Sequence, residues 1–424
     1  MAGSKIITLG CRLNTLESEI MRNELAQGGI DDAIIINTCA VTAEAERQAR
    51  QTIRKCRRDR PDARIIVTGC AAQLDPAKFA NMIEVDRVVG NHEKLNIDTL
   101  VGAENAPDIH VTDIQQIKET AAHLIQGIEG RTRAFLLVQQ GCDNDCTFCI
   151  IPAARGRNRA VPLAQITEQA KTLVKTGHQE VVLTGVDIAA YGADQGLCDE
   201  NGTGLTAAIR ALLKATPNLA RLRLSSLDPA RLDDEFFALL GDEPRLMPHL
   251  HLSLQAADDM ILTRMKRRHR IKDIEKLMAR TKDKRPDVVF GADLIAGFPT
   301  ESDGMFQNTF TNVKAWGLEY LHVFPYSKRP NTPAERMPQV SGGLVKKRAK
   351  ALRELGNVNL TAHLLKLVDT RQNVLVETKG FGRTETFAPV KLDPSIPAGS
   401  LETMVMTAQS NGQLHGALNM KAAQ

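Results

Sequence analysis

The chain has 424 residues, 43% hydrophobic and 25% charged, with a formal net charge of +4. That length exceeds what one hydrophobic core serves, so two or three domains are expected, and the composition is that of a soluble globular protein. The longer apolar runs, such as AIII at 33–36 and FLLV at 135–138, are strand-sized and too short to span a bilayer. The small net charge neither demands nor excludes a nucleic-acid partner. MAGSKIITLG enters a strand pattern directly, without the basic, apolar and cleavage regions of an export signal, so a cytoplasmic location is expected. In that reducing compartment, eight cysteines argue for metal or redox chemistry over disulfides.

In chain order, KIITL (5–9), AIIIN (33–37), RIIVTG (64–69) and DRVVGN (86–91) read as buried strands. Residues 15–27 carry an amphipathic helical pattern, and EAERQARQTIRKCRRDR (44–60) a long polar helix. This alternation predicts a parallel α/β sheet of Rossmann or flavodoxin type over 1–125. It restarts over 128–358, with strand candidates AFLLVQQ (134–140), EVVLTG (180–185), LRLSSL (222–227), HLHLSL (249–254), VVFGADLI (288–295) and YLHVF (320–324). Six such units, where a complete barrel has about eight, predict a partial TIM-like (β/α)6 barrel. A basic helical stretch, GGLVKKRAKALRELG (342–356), follows. NVLVETKG, TETFAPVKL and LETMVMTAQ then alternate between Gly and Pro breaks and predict a small antiparallel β-barrel over 360–424.

Cys11, Cys39 and Cys70 each follow a predicted strand, in KIITLGC, AIIINTC and RIIVTGC. The C-terminal ends of parallel strands share one edge of the sheet, where ligands bind, so these thiols can meet without being close in sequence. The alternative is three unrelated small hydrophobes at strand ends. A second triad, Cys142, Cys146 and Cys149, is compressed into GCDNDCTFC. A 4Fe–4S cluster held by three thiolates keeps one iron open to another ligand, whereas a structural zinc site would require a remote fourth ligand. Cys56 and Cys198 are isolated and are assigned only packing.

CDNDCTFC, with Phe148 before its third cysteine, resembles the CxxxCxxC signature of radical S-adenosylmethionine enzymes. With LGCRLNTLES, INTCAVTAEAERQARQ, VTGCAAQ, RLSSLDP, HLSLQ and GADLIAGFPTE it resembles the methylthiotransferase family from residue 8 to about 301. The C-terminal strands resemble that family's TRAM barrel. GCRLN and NTCAVTAEAERQARQ are most like the branch acting on threonylcarbamoyladenosine in tRNA; the other branches act on isopentenyladenosine in tRNA or on a ribosomal-protein aspartate.

The resemblance implies that Cys142, Cys146 and Cys149 hold a radical-generating 4Fe–4S cluster and that Cys11, Cys39 and Cys70 hold an auxiliary one carrying the sulfur. It places Gly185, Val186 and Asp187 near the methionine part of S-adenosylmethionine, Ser253 and Gln255 near its ribose, and Gly291 and Asp293 in the stretch beside its adenine. It implies a 5′-deoxyadenosyl radical that takes hydrogen from carbon 2 of adenosine 37, sulfur insertion, and methyl transfer from a second S-adenosylmethionine. A flavodoxin- or ferredoxin-like reductant and the single-stranded anticodon loop of tRNA are the implied partners, with no DNA and no membrane. Basic runs at 47–60, 155–159 and 265–270 supply the expected phosphate contacts: Arg54, Arg57, Arg58, Arg155, Arg157, Arg159, Lys266, Arg267 and Arg268. Residues 374–419 carry a net charge of −1 and have only Phe381 and Phe387 for stacking, so that barrel is expected to orient RNA or pack on the larger barrel. A zinc-stabilised RNA-binding protein without catalysis is the competing reading from another class.

Overall fold

The computed structural model describes residues 3–28, 32–102, 108–118, 132–196 and 204–418. Cys198 lies outside them. In the N-terminal unit, β1 (Lys5–Thr8), β2 (Ala33–Thr38), β3 (Arg64–Gly69), β4 (Arg87–Val89) and β5 (Ile109–His110) form a parallel sheet in chain order. The crossovers carry α1 (Arg12–Gln27), α2 (Ala43–Asp59), α3 (Cys70–Leu74), α4 (Pro76–Ala80) and α5 (Ile97–Val101). Ile34, Ile36, Ile65 and Val67 enter one core and Ile35, Ile66 and Val89 the other, which is why these strands read as unbroken apolar runs. Helix α2 begins where the Thr42 side chain accepts the Ala45 N–H at 3.1 Å, and it buries Ala49, Ile53 and Cys56 at helical spacing.

The second unit contains β6 (Arg133–Gln140), α6 (Ile151–Arg155), β7 (Arg159–Ala160), α7 (Leu163–Lys175), β8 (Glu180–Gly185), α8 (Gly204–Ala215), β9 (Arg221–Leu224) and α9 (Asp234–Asp242). It continues with β10 (His249–Gln255), α10 (Asp259–Arg264), α11 (Ile271–Lys284), β11 (Val289–Ala296), α12 (Asp303–Trp316), β12 (Tyr320–Pro325) and α13 (Gly342–Leu367). Strands β6, β8 and β9 are parallel, as are β10, β11 and β12, and bridges Leu222–Leu246 and Leu227–Leu252 join the two sheets. The result is an open arc of six parallel strands, with β7 pairing antiparallel at the end of β6. Alternate residues such as Leu136, Val181, Leu222, Leu250 and Phe290 pack under the helices. The intervening positions face the lumen and include Arg133, Glu180, Arg223, His249, His251 and Asp293. Helix α1 of the first unit packs Leu16 and Ile20 on the lumen residues Phe135 and Val182.

Helix α13 continues to Leu367, beyond the basic stretch recognised in the sequence, through Asn, Val and Thr residues of modest helix propensity. Burial of Leu364 in the core of the third unit stabilises that extension. There β13 (Arg371–Thr378), β14 (Phe381–Thr384), β15 (Pro389–Lys391), β16 (Leu401–Ser410) and β17 (Gln413–Leu418) close a barrel in the order 13-14-15-17-16. All pairs are antiparallel except β15–β17.

This small barrel caps the N-terminal end of the strand arc. Arg221 Nη2 donates to Asn373 O at 2.8 Å, Arg223 Nη1 to Glu385 O at 3.1 Å, and Tyr320 Oη to Thr386 O at 3.1 Å. The ring of Phe387 stacks on His249 at 5.1 Å, with the guanidinium groups of Arg383, Arg223 and Arg133 at 4.2, 5.0 and 5.1 Å from its centroid. Phe387 is thereby withdrawn from the set of RNA-stacking residues. The acidic excess of the small barrel also has a partner in the protein, since Glu377 pairs with Arg133 at 2.9 Å. Among the described residues, no helix is long and apolar enough to cross a membrane.

Candidate active site

The parallel register places the ends of β1, β2 and β3 on one edge, and the loops there carry Cys11, Cys39 and Cys70. Asn14 ties two of these loops together, donating to Leu9 O at 2.7 Å and to Thr38 O at 3.0 Å. Gly10, with φ +104°, allows the close approach of the Cys11 loop; a Cβ there would lie 2.9 Å from Cys39 Sγ. Burial pushes the Cys39 thiol up to about 11, and Cys70 and Cys11 are near enough to add to the shift.

Across the domain boundary, the loop after β6 carries the second triad. Burial pushes Cys149 up to about 12, with Cys146 and Cys142 contributing, and pushes Cys142 up to about 11, with Asp187 contributing. Thiols this reluctant to ionise become thiolates when a metal takes the place of the proton. Among the described residues, only His251, Asp293 and His322 gather three ligand atoms within 4.8 Å of one another. The all-thiol donor sets of the two cysteine triads fit polynuclear clusters.

A buried ionic bridge joins the edge that carries the first triad to α6, the helix that follows the second. Arg155, at the end of α6, pairs with Glu17 of α1 through both terminal nitrogens and also donates to Asn14 Oδ1 at 2.6 Å. Its Nε lies 3.2 Å from Cys70 Sγ. Lys94 Nζ reaches Glu17 from the other side at 2.6 Å and Asn91 Oδ1 at 2.8 Å. Burial alone would raise the Glu17 pKa, but Arg155 and then Lys94 hold it down to about 2. Two cations around one anion leave local positive charge beside the thiol edge, which favours an anionic thiolate group.

The residues expected around S-adenosylmethionine are brought into two connected places. Phe148, Gln255 and Asp293 line a cavity of about 240 Å³ together with Cys149 and with Val41 and Thr42 of the N-terminal unit. Gln255 has φ 70° at a register shift of β10, a strained position of the kind concentrated at binding sites. Asp293 accepts from His251 Nε2 at 3.0 Å and lies 3.4 Å from His322 Nδ1. These histidines hold its carboxyl well below the usual range despite burial. Gly291 leaves room for His251, whose Nδ1 a Cβ would strike. Gly185, Val186 and Asp187 form the second place, beside the cluster loop: Asn144 Nδ2 donates to Asp187 Oδ2 at 2.9 Å, and Cys142 Sγ is 4.0 Å from it. Ser253 contributes its carbonyl, which accepts from Arg267 Nη2 at 2.7 Å.

Of the expected RNA contacts, Arg155, Arg159 and Arg267 are corrected to interior residues. Arg159 donates to the carbonyls of Arg157 and Arg155 at 3.0 Å, while Arg267 pairs with Asp228 at 3.3 Å and reaches Cys146 Sγ at 3.5 Å. Arg57 is half-buried against Asp86 at 2.6 Å. Arg54, Arg58, Arg157, Lys266 and Arg268 remain exposed. Sequence reasoning did not find Gln139, whose Oε1 accepts from the backbone N–H groups of Val186 and Asp187 at 3.0 and 2.8 Å. Nor did it find Glu17 and Lys94, although an acidic residue inside the apolar pattern of α1 was a signal.

Comparison with known proteins agrees with this geometry. Residues 136–313 match the radical SAM superfamily, and residues 4–90 match an uncharacterised protein family, UPF0004. The chain is 48% identical, over 94% of its length and 93% of the relative's, to the threonylcarbamoyladenosine tRNA methylthiotransferase MtaB of Rickettsia prowazekii. It is 32% identical to the tRNA-2-methylthio-N(6)-dimethylallyladenosine synthase of Cereibacter sphaeroides, covering 97% of each chain. In fold it resembles the radical S-adenosylmethionine methyltransferase TsrM of Kitasatospora setae, with a TM-score of 0.58 at 15% identity over 79% of this chain and 75% of that one. The chain therefore belongs to the radical S-adenosylmethionine tRNA methylthiotransferases, enzymes of S-adenosylmethionine and 4Fe–4S clusters, and is most like their threonylcarbamoyladenosine branch.

Proposed function

We propose that this enzyme converts N6-threonylcarbamoyladenosine at position 37 of tRNA to its 2-methylthio derivative, using two 4Fe–4S clusters. The observation that carries the reading is the pair of thiol triads pinned across one domain boundary by Arg155, Glu17 and Lys94. Cys142, Cys146 and Cys149 would hold the radical-generating cluster, and Cys11, Cys39 and Cys70 the sulfur-bearing one. When bound, these groups and S-adenosylmethionine supply radical chemistry able to replace the hydrogen on adenine carbon 2, which no side-chain base removes at useful rates.

The protein's own share is positioning and exclusion of water. Phe148 packs edge-on against Phe298 at 6.4 Å and walls the cavity that receives S-adenosylmethionine. Gln139 fixes the Val186–Asp187 backbone beside the cluster loop. Arg54, Arg58, Arg157, Lys266 and Arg268 are the exposed cations that would meet anticodon-loop phosphates, and a flavodoxin- or ferredoxin-like protein would deliver electrons.

The test compares tRNA nucleosides by mass spectrometry from cells with and without the protein. Specific loss of the methylthio group from threonylcarbamoyladenosine supports the reading. Loss from isopentenyladenosine moves the enzyme to the sister branch, and no change in any tRNA nucleoside overturns the tRNA substrate.

A further inference from the structure

Helix α1 reaches into the lumen of the strand arc along a stripe of every fourth residue. Leu16 and Ile20 on that stripe pack on the lumen residues Phe135 and Val182. One turn before Leu16 is Arg12, adjacent to Cys11. Its guanidinium is partly buried, and the charges that act on it are Arg133, Arg223, Asp293 and Arg383, all from the lumen and its floor.

The other charged groups there are paired. Glu180 takes Arg223 through two bonds of 2.8 and 3.1 Å, Glu377 takes Arg133 at 2.9 Å and Arg383 at 3.4 Å, and Asp293 is engaged by His251 and His322. Arg12 alone of this group has no hydrogen bond or ion pair among the described residues. A guanidinium does not neutralise by losing its proton, so a cation so placed calls for an anion from outside the chain.

We infer that Arg12 is the specificity residue of the active site and pairs with the carboxylate of the threonylcarbamoyl group on the substrate base. The inference rests on the substrate reading above. That carboxylate is the only anionic group on the modified base. It is planar and matches the fork of an arginine, which binds carboxylates through two parallel N–H bonds. Arg12 is one residue from an auxiliary thiol, so it is placed to hold the base's substituent while carbon 2 is presented to the sulfur. An isopentenyl substituent would leave the cation unpaired and be disfavoured for that reason.

The experiment uses the cluster-loaded enzyme and anticodon stem-loop RNAs bearing threonylcarbamoyladenosine, its threonine carboxamide or isopentenyladenosine at position 37. The carboxamide has the same size and no charge. Wild type is expected to lose roughly 30-fold in kcat/KM from acid to carboxamide, the loss of a charge-assisted pair. Arg12→Gln is expected to lose a similar factor on the acid but less than about threefold on the carboxamide, and Arg12→Lys to recover part of the acid activity. Equal turnover of acid and carboxamide by wild type, or an equal fall on both in Arg12→Gln, overturns the inference while leaving the substrate reading intact. Turnover of the isopentenyl RNA and of neither threonyl RNA overturns the substrate reading, and the inference with it. Should Arg12→Gln fail to load iron and sulfide, the wild-type comparison of acid with carboxamide decides alone.

Discussion

Replacing Glu17 with Gln should loosen the whole thiol edge of the N-terminal sheet. Glu17, Lys94 and Arg155 are respectively 0%, 0% and 3% exposed, so neither cation can turn to water when its anion is removed. Removing one partner of a buried pair typically costs about 3–5 kcal/mol, most of it the uncompensated charge left behind. At 1.4 kcal/mol per decade this amounts to roughly a 100- to 3,000-fold rise in local opening. Hydrogen exchange should show it at the amides of Ile34–Ile36 and Ile65–Val67 while strands of the C-terminal barrel keep their protection. A second mutation, Lys94→Met, removes one stranded cation and should restore part of the loss. The pH dependence has a definite sign. The folded-state pKa of Glu17 lies at about 2, below its ordinary value of 4.5, so its contribution is complete above pH 4.5 and fades as pH falls toward 2. The gap between wild type and Glu17→Gln should therefore close over that interval. A rise of less than tenfold at these amides, or a gap that does not change with acid, would refute the reasoning.

Three further outcomes are expected. Cys39→Ser and Cys142→Ser should each retain about half of the wild-type iron and sulfide, and a single shared site would instead lose nearly all in either variant. Arg54→Gln combined with Arg58→Gln should weaken tRNA binding regardless of sequence and lower the salt slope by about 1.5, measured by titration at several salt concentrations; an unchanged slope excludes this face from the contact. Phe387→Ala should cost about 3–5 kcal/mol and expose the α13–β13 junction to limited proteolysis, because the ring is the plug between the two barrels. Unchanged protease resistance would show that the polar contacts of Arg221 and Arg223 suffice.

The strand–helix order was legible because buried parallel strands must be apolar on both faces, as Ile34–Ile36 and Ile65–Val67 are. The thiol edge was legible for a related reason, since parallel strands end on one side wherever their connections run. Short strands such as β5 and β7, of two residues each, carry no period and were missed. The basic runs were misread in part. A run of arginines has the same look whether it lies in solvent or is drawn inside by a buried acid, and Arg155 and Arg267 are drawn inside by Glu17 and Asp228.

Local order along the chain thus determined the three architectures, the two cysteine triads and the family resemblance, because strand period, turn residues and short ligand spacings act between near neighbours. What the tertiary structure alone decided was how these parts meet. Arg155 finds Glu17 138 residues away, and Arg221 finds Asn373 across 152. Charge compensation in a low-dielectric interior selects such partners by position in space, and no sequence spacing encodes it. The same selection leaves Arg12 without a hydrogen bond or ion pair among the described residues.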